Sequence, residues 1–186
     1  MNTCPSAVRK RIFLFFLLTA LCGFALSSVR KEFQNLEELY NTGKIDELAE
    51  SISTLKPAND EERACIGFYN ALLKTKTEEA IASHQLLIEK FPKSSYTQKS
   101  LLELGKIYCL ERRIEEASLY LRRITSSELM ERFYWLALCA WWQDDYATAI
   151  NNCENYLRLE PRGEFAEKAY YLIADCYLAQ KKAYSA

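Results

Sequence analysis

The chain has 186 residues, 49% of them apolar, with 24 Lys and Arg against 25 Asp and Glu for a formal net charge of −1. That balance offers no electrostatic footprint for nucleic acid or for an anionic membrane surface, and five Gly with four Pro are too few for a turn-rich β fold. The length suits one ordinary domain or an array of about five 34-residue repeats.

The N-terminus belongs to a different class from the rest. Arg9, Lys10 and Arg11 precede the uncharged run Ile12–Leu26, which ends in Ser27, Ser28 and Val29. A basic start, an apolar stretch and small residues describe a secretory signal, with Ala25-Leu26-Ser27 as the cleavage site. An uncleaved anchor competes with it, because Arg11 and Arg30 bracket an uncharged run near the minimum for a membrane span. Lipidation at Cys22 is a third alternative, disfavoured by the bulk of Leu21. All three export the remainder. The expected organisation is an export segment over 1–29 and one helical domain over 30–186, periplasmic or tethered to the membrane through that segment alone.

Apolar periodicity predicts helices at about 31–41 and 45–55, parted by Asn41-Thr42-Gly43, a glycine stop. Lys56-Pro57-Ala58-Asn59-Asp60 leads into a second pair at about 61–74 and 77–90, where Thr75 and Glu78 offer a capping box. A third pair is expected at about 96–110 and 114–124, and Thr125 with Glu128 offers another box before a fourth, at about 128–142 and 146–158. A last helix is expected at about 164–180, with a further one starting near Ala183.

Within the third pair, Leu101, Leu104, Gly105 and Tyr108 recur at the spacing of one helical face, and Ala117 follows in the next helix. A small residue belongs where two helices of a hairpin cross closely. Ala49, Ala80, Ala117, Ala149 and Ala186 mark the second helices, at separations of 31, 37, 32 and 37. The long steps contain the links Phe91–Gln98 and Glu160–Glu167, each with a helix-ending Pro. A second period of 69 pairs Ala80 with Ala149, Pro92 with Pro161, Lys99 with Lys168 and Tyr108 with Tyr177.

These motifs, with Ile88-Glu89-Lys90-Phe91-Pro92 and Ile114-Glu115-Glu116-Ala117, resemble the tetratricopeptide repeat family. The similarity is nearest to bacterial envelope members, the outer-membrane assembly lipoprotein class and the periplasmic partner of the Tol–Pal system. The resemblance implies an all-α fold, an α-solenoid superhelix of antiparallel helix pairs with about four and a half repeats. It also implies a protein partner and not a reaction.

The residues offer little chemistry of their own. No CxxC or Cys/His ligand set suggests a metal, and Cys65, Cys109, Cys139, Cys153 and Cys176 are spaced as free, buried thiols. The single histidine, His84, is placed as a packing residue of a second helix. There is no phosphate loop and no Ser-His-acid set, so no enzyme, cofactor or catalytic residue is expected. The candidate binding surface is the inward face of the first helices. It comprises Lys99, Leu102 and Lys106, then Tyr134, Leu138, Trp141 and Trp142, then Tyr171 and Asp175, since aromatics carry large contact area at small entropic cost. Core packing competes for Trp141 and Trp142. The expected function is a non-enzymatic envelope scaffold that holds a protein segment or assembly subunit in this groove. A self-associating structural protein of the envelope is the alternative, and an uncovered tyrosine face on the last helix would suggest oligomerisation or further repeats downstream.

Overall fold

The structure is a computed structural model that describes residues 32–33 and 35–183. The expected export segment, Cys4, Cys22 and Ala186 lie outside the described residues. Regular structure among the described residues is entirely α-helical, and none of their helices is long and apolar enough to cross a membrane. The chain divides into two compact units, Met1–Lys56 and Pro57–Ala186, a boundary that falls inside the stretch read from sequence as one domain.

In the first unit, helix α1 covers 35–41 and α2 covers Ile45–Thr54. Leu36 and Leu39 on α1, and Leu48 and Ile52 on α2, are the buried apolar positions. Ala49, expected to mark the helix crossing, is exposed. The small-residue register thus fails in this pair, because α2 begins at Ile45 and turns Leu48 inward instead.

The second unit contains α3 (Asp60–Leu72), α4 (Thr77–Lys90), α5 (Ser95–Leu110), α6 (Ile114–Arg122), α7 (Glu131–Trp142), α8 (Tyr146–Leu159) and α9 (Ala166–Ala183). These bounds follow the predicted ones closely. The exception is the end, where α9 continues through Ala183 and no turn intervenes.

One turn geometry recurs. After α1, α5 and α7 a residue sits in the left-handed region: Gly43 (φ 71°), Arg112 (φ 61°) and Asp144 (φ 58°). In each case the next amide reaches five residues back, Lys44 N–H to Leu39 C=O, Arg113 N–H to Tyr108 C=O and Asp145 N–H to Ala140 C=O, at 2.9–3.0 Å. This 6→1 bond closes a Schellman turn and satisfies a carbonyl the helix end would leave orphaned. Gly43 and Arg112 stand 69 residues apart, the same interval as Ile45 to Ile114 and Thr77 to Tyr146 at the starts of α2, α6, α4 and α8. The α3–α4 connection is one residue longer and closes differently, the Lys74 amide bonding the Ala71 carbonyl three residues back at 3.2 Å.

Helix starts are capped from a distance. Glu61 on α3 accepts from the Ser95 amide at 3.2 Å, so one helix caps another. Gln98 on α5 accepts from the amides of Thr125 (2.7 Å) and Ser126 (3.2 Å). That contact replaces the box expected of Thr125 and Glu128, and α7 starts only at Glu131. The box expected of Thr75 and Glu78 is likewise absent, because Lys76 is the N-cap of α4 and makes no side-chain cap bond. A box-like exchange sits on α3, where the N-cap Asn59 accepts from the Glu62 amide at 2.9 Å and Glu62 accepts from the amide of Ala58, one residue before the cap, at 2.5 Å.

Consecutive helices from α3 to α9 pack on one another, and α3 also meets α5, α5 meets α7 and α7 meets α9. The even helices α4, α6 and α8 make no such contact among themselves. One core gathers Leu101, Leu104, Tyr108 and Ile114 with Ala117 and Leu121, and a second gathers Tyr134, Ala137, Ala149 and Cys153 with Tyr156 and Phe165. Trp135 and Leu138 pack against both cores, which makes α7 the bridge between them. Each fully buried Leu or aromatic side chain contributes about 1.5–3 kcal/mol.

Candidate protein-binding face

Spacings of four and three residues bring side chains onto one face of a helix. On α5 that places Lys99, Glu103 and Lys106 together, and on α7 Glu131, Trp135, Leu138 and Trp142. Lys106 joins the two rows: its Nζ lies 3.0 Å from a carboxylate oxygen of Glu103 and 3.0 Å from one of Glu131. Burial alone would lower the lysine pKa, but the two carboxylates outweigh it and hold the ammonium above its ordinary value. Glu131 also accepts a long bond from Trp135 Nε1 at 3.5 Å. The result is a half-buried charge relay across α5 and α7, beside apolar Trp135 and Leu138.

At the hairpin end of this face, the Arg112 guanidinium carbon sits 3.1 Å from the Trp142 ring centroid. Trp142 meets Trp141 edge-on, with centroids 4.4 Å apart. The left-handed turn at Arg112 aims that side chain toward the α7–α8 turn, so backbone geometry and cation–π contact support one another. Trp142 keeps 36% of its surface exposed, whereas Trp141 is half-buried and its buried Nε1 has no hydrogen-bond partner.

The expected site residues therefore separate. Lys99, Lys106, Leu138 and Trp142 lie on the α5–α7 rows, with Lys99 Nζ 5.3 Å from the Tyr96 ring centroid. Leu102 is only 2% exposed and belongs to the first core. Tyr134 is 9% exposed and stacks on Phe165 with centroids 4.7 Å apart. Both are corrected from groove to core: Leu102 is packed within the first core, and Phe165 of the α8–α9 link covers Tyr134. Trp141 mostly packs. Tyr171 and Asp175 are exposed on α9. Glu103, Glu131, Trp135 and Arg112 were missed. The Glu131–Trp135–Leu138–Trp142 spacing was the available signal, one residue away from the Tyr134–Trp141 row.

Burial sets the protonation of several other groups. His84 is 1% exposed, its Nδ1 lies 3.1 Å from Ser100 Oγ, and burial pushes its pKa down to about 4. All five cysteines of the described residues are buried, and Cys109, Cys139, Cys153 and Cys176 are free thiols. Burial first, then the nearby Cys176 and Glu154, pushes Cys153 up to about 12. Cys109 is raised by its hydrogen bond to Cys139 and then by burial. Nucleophilic chemistry needs a thiolate, and these settings hold Cys153 and Cys109 in the thiol form. Among the described residues no group of three or more His, Cys, Asp or Glu could hold a metal ion.

No family model matches the chain, and no curated protein matches it.

Proposed function

We propose that this protein is a non-enzymatic scaffold whose helices α3–α9 form a tetratricopeptide-like superhelix and whose α5–α7 face holds a protein segment. The observation that carries the reading is the unequal packing of alternate helices. Odd helices touch their odd neighbours while even helices do not. A stack closer-packed on one side curves toward that side, and a curved stack of helix pairs has a concave surface suited to an extended ligand. The repeated Schellman turns at Arg112 and Asp144 support the same architecture. Lys106, Glu103 and Glu131 would fix the polar backbone or charged side chains of such a segment, and Trp142 would supply apolar area at its edge.

The export reading of the N-terminus would put this scaffold in the cell envelope, facing an outer-membrane or envelope assembly partner. No cofactor enters the proposal. The test is capture of envelope proteins by the full chain and by Trp142→Ala and Lys106→Ala, with Leu119→Ala on the outer side of α6 as a control. Loss of a discrete partner in the first two, with the control intact and circular dichroism unchanged, is the expected result. Equal capture by all three would refute the face.

A further inference from the structure

Helix α9 carries an exposed stripe that no other described element covers. Tyr170, Tyr171, Tyr177 and Leu178 keep 60, 66, 57 and 59% of their surface accessible. Ala174 lies at the centre of the stripe and is exposed as well. Glu167 stands one heptad before Ala174 and Lys181 one heptad after it, both exposed. At 100° per residue all seven fall within about 60° of the Ala174 direction, opposite the buried Phe165, Ala169, Leu172 and Cys176. The pattern is a coiled-coil seam of two heptads.

The same positions are covered elsewhere in the chain. Leu101, Gly105 and Tyr108 stand 69 residues before Tyr170, Ala174 and Tyr177, and packing of neighbouring helices on α5 leaves Leu101 2% and Tyr108 3% exposed. The α9 stripe is therefore a helix-packing face by construction.

We infer that this stripe is an interface between two copies of the chain, paired antiparallel through α9 about a two-fold axis at Ala174. Self-complementarity selects this occupant. About that axis Tyr170 meets Leu178 of the second copy and Tyr171 meets its Tyr177, so each large side chain faces an apolar one. Ala174 meets itself, and its small side chain lets the helices approach. Glu167 falls opposite Lys181 of the second copy, and the two-fold repeats that pair. A parallel arrangement would oppose Glu167 to Glu167 and Lys181 to Lys181, which charge repulsion disfavours. The inference does not rest on the partner-binding reading: the seam lies on α9, and a chain that fails to dimerise can still capture a partner.

The test is sedimentation equilibrium of the full chain in density-matched detergent over a concentration range of about 1 to 100 µM, where mass action reveals a weak dimer. The expected result is a monomer–dimer equilibrium that Ala174→Glu abolishes. Glu167→Lys and Lys181→Glu should each weaken it by about tenfold, and the double exchange should restore it, with helicity unchanged throughout. A monomer at every concentration would overturn the inference. So would a dimer indifferent to Ala174→Glu, or a double exchange no tighter than the single ones.

Discussion

Gly105 on α5 and Leu121 on α6 are so close that a Cβ on residue 105 would lie 2.5 Å from Leu121 Cγ. The contact sets the approach of the two helices, and it falls one turn beyond Ala117, where the repeat pattern located it. Gly105→Ala gains about 1 kcal/mol of helix propensity but forces Leu121 from its place. We expect a net loss of roughly 1–2 kcal/mol, and Gly105→Leu should cost more. Urea unfolding measures it, and pairing Gly105→Ala with Leu121→Ala should recover part of the loss that two independent changes would sum to.

Protonation of His84 gives a pH dependence of known sign. In the fold its pKa is lowered to about 4 from 6.5. Between those values the unfolded chain binds a proton the folded chain refuses. Stability is therefore complete above pH 6.5 and falls as pH drops toward 4, by roughly 3 kcal/mol from this group. Denaturation midpoints compared between wild type and His84→Gln, which keeps a donor for Ser100, should diverge from pH 7 to pH 5. Parallel curves would contradict the assignment.

Lys106 links α5 to α7 by ion pairs whose side chains are only 22–27% exposed. Lys106→Met leaves Glu103 and Glu131 facing each other without a counter-charge. A loss of roughly 1–3 kcal/mol is expected, and adding Glu131→Leu should return part of it. Thermal unfolding of the single and double variants gives the answer.

Trp141 buries an indole N–H with no acceptor. An unsatisfied buried donor carries a desolvation cost, so Trp141→Phe should leave the melting midpoint unchanged or raise it. Trp141→Ala should lower the unfolding free energy, by about 3 kcal/mol, and with it the midpoint, because the ring packs on the second core. A large loss in Trp141→Phe would mean the N–H has a partner.

Helix bounds were legible because apolar periodicity and the stops at Gly43, Pro92 and Pro161 are local signals. The turns at Arg112 and Asp144 were not, since left-handed backbone usually announces itself by glycine. The boxes expected before α4 and α7 do not form, because Lys76 is the N-cap of α4 and Gln98 supplies the acceptor for Thr125 and Ser126 from far along the chain. Leu102 and Tyr134 show the limit for the site: periodicity says which side chains share a face, but not which face a later segment such as Phe165 will cover. Glu131 was overlooked because its pairing with Lys106 exists only once α5 and α7 are packed.

The claim that the α5–α7 rows hold a protein segment is tested most directly by photo-crosslinking from single sites in whole native cells. A benzophenone amino acid at position 99 or 142 should yield the same discrete adduct, and one at position 86 or 119, on exposed outer positions of α4 and α6, should yield none. Adducts of equal intensity from both sets, or from positions 86 and 119 alone, would contradict it.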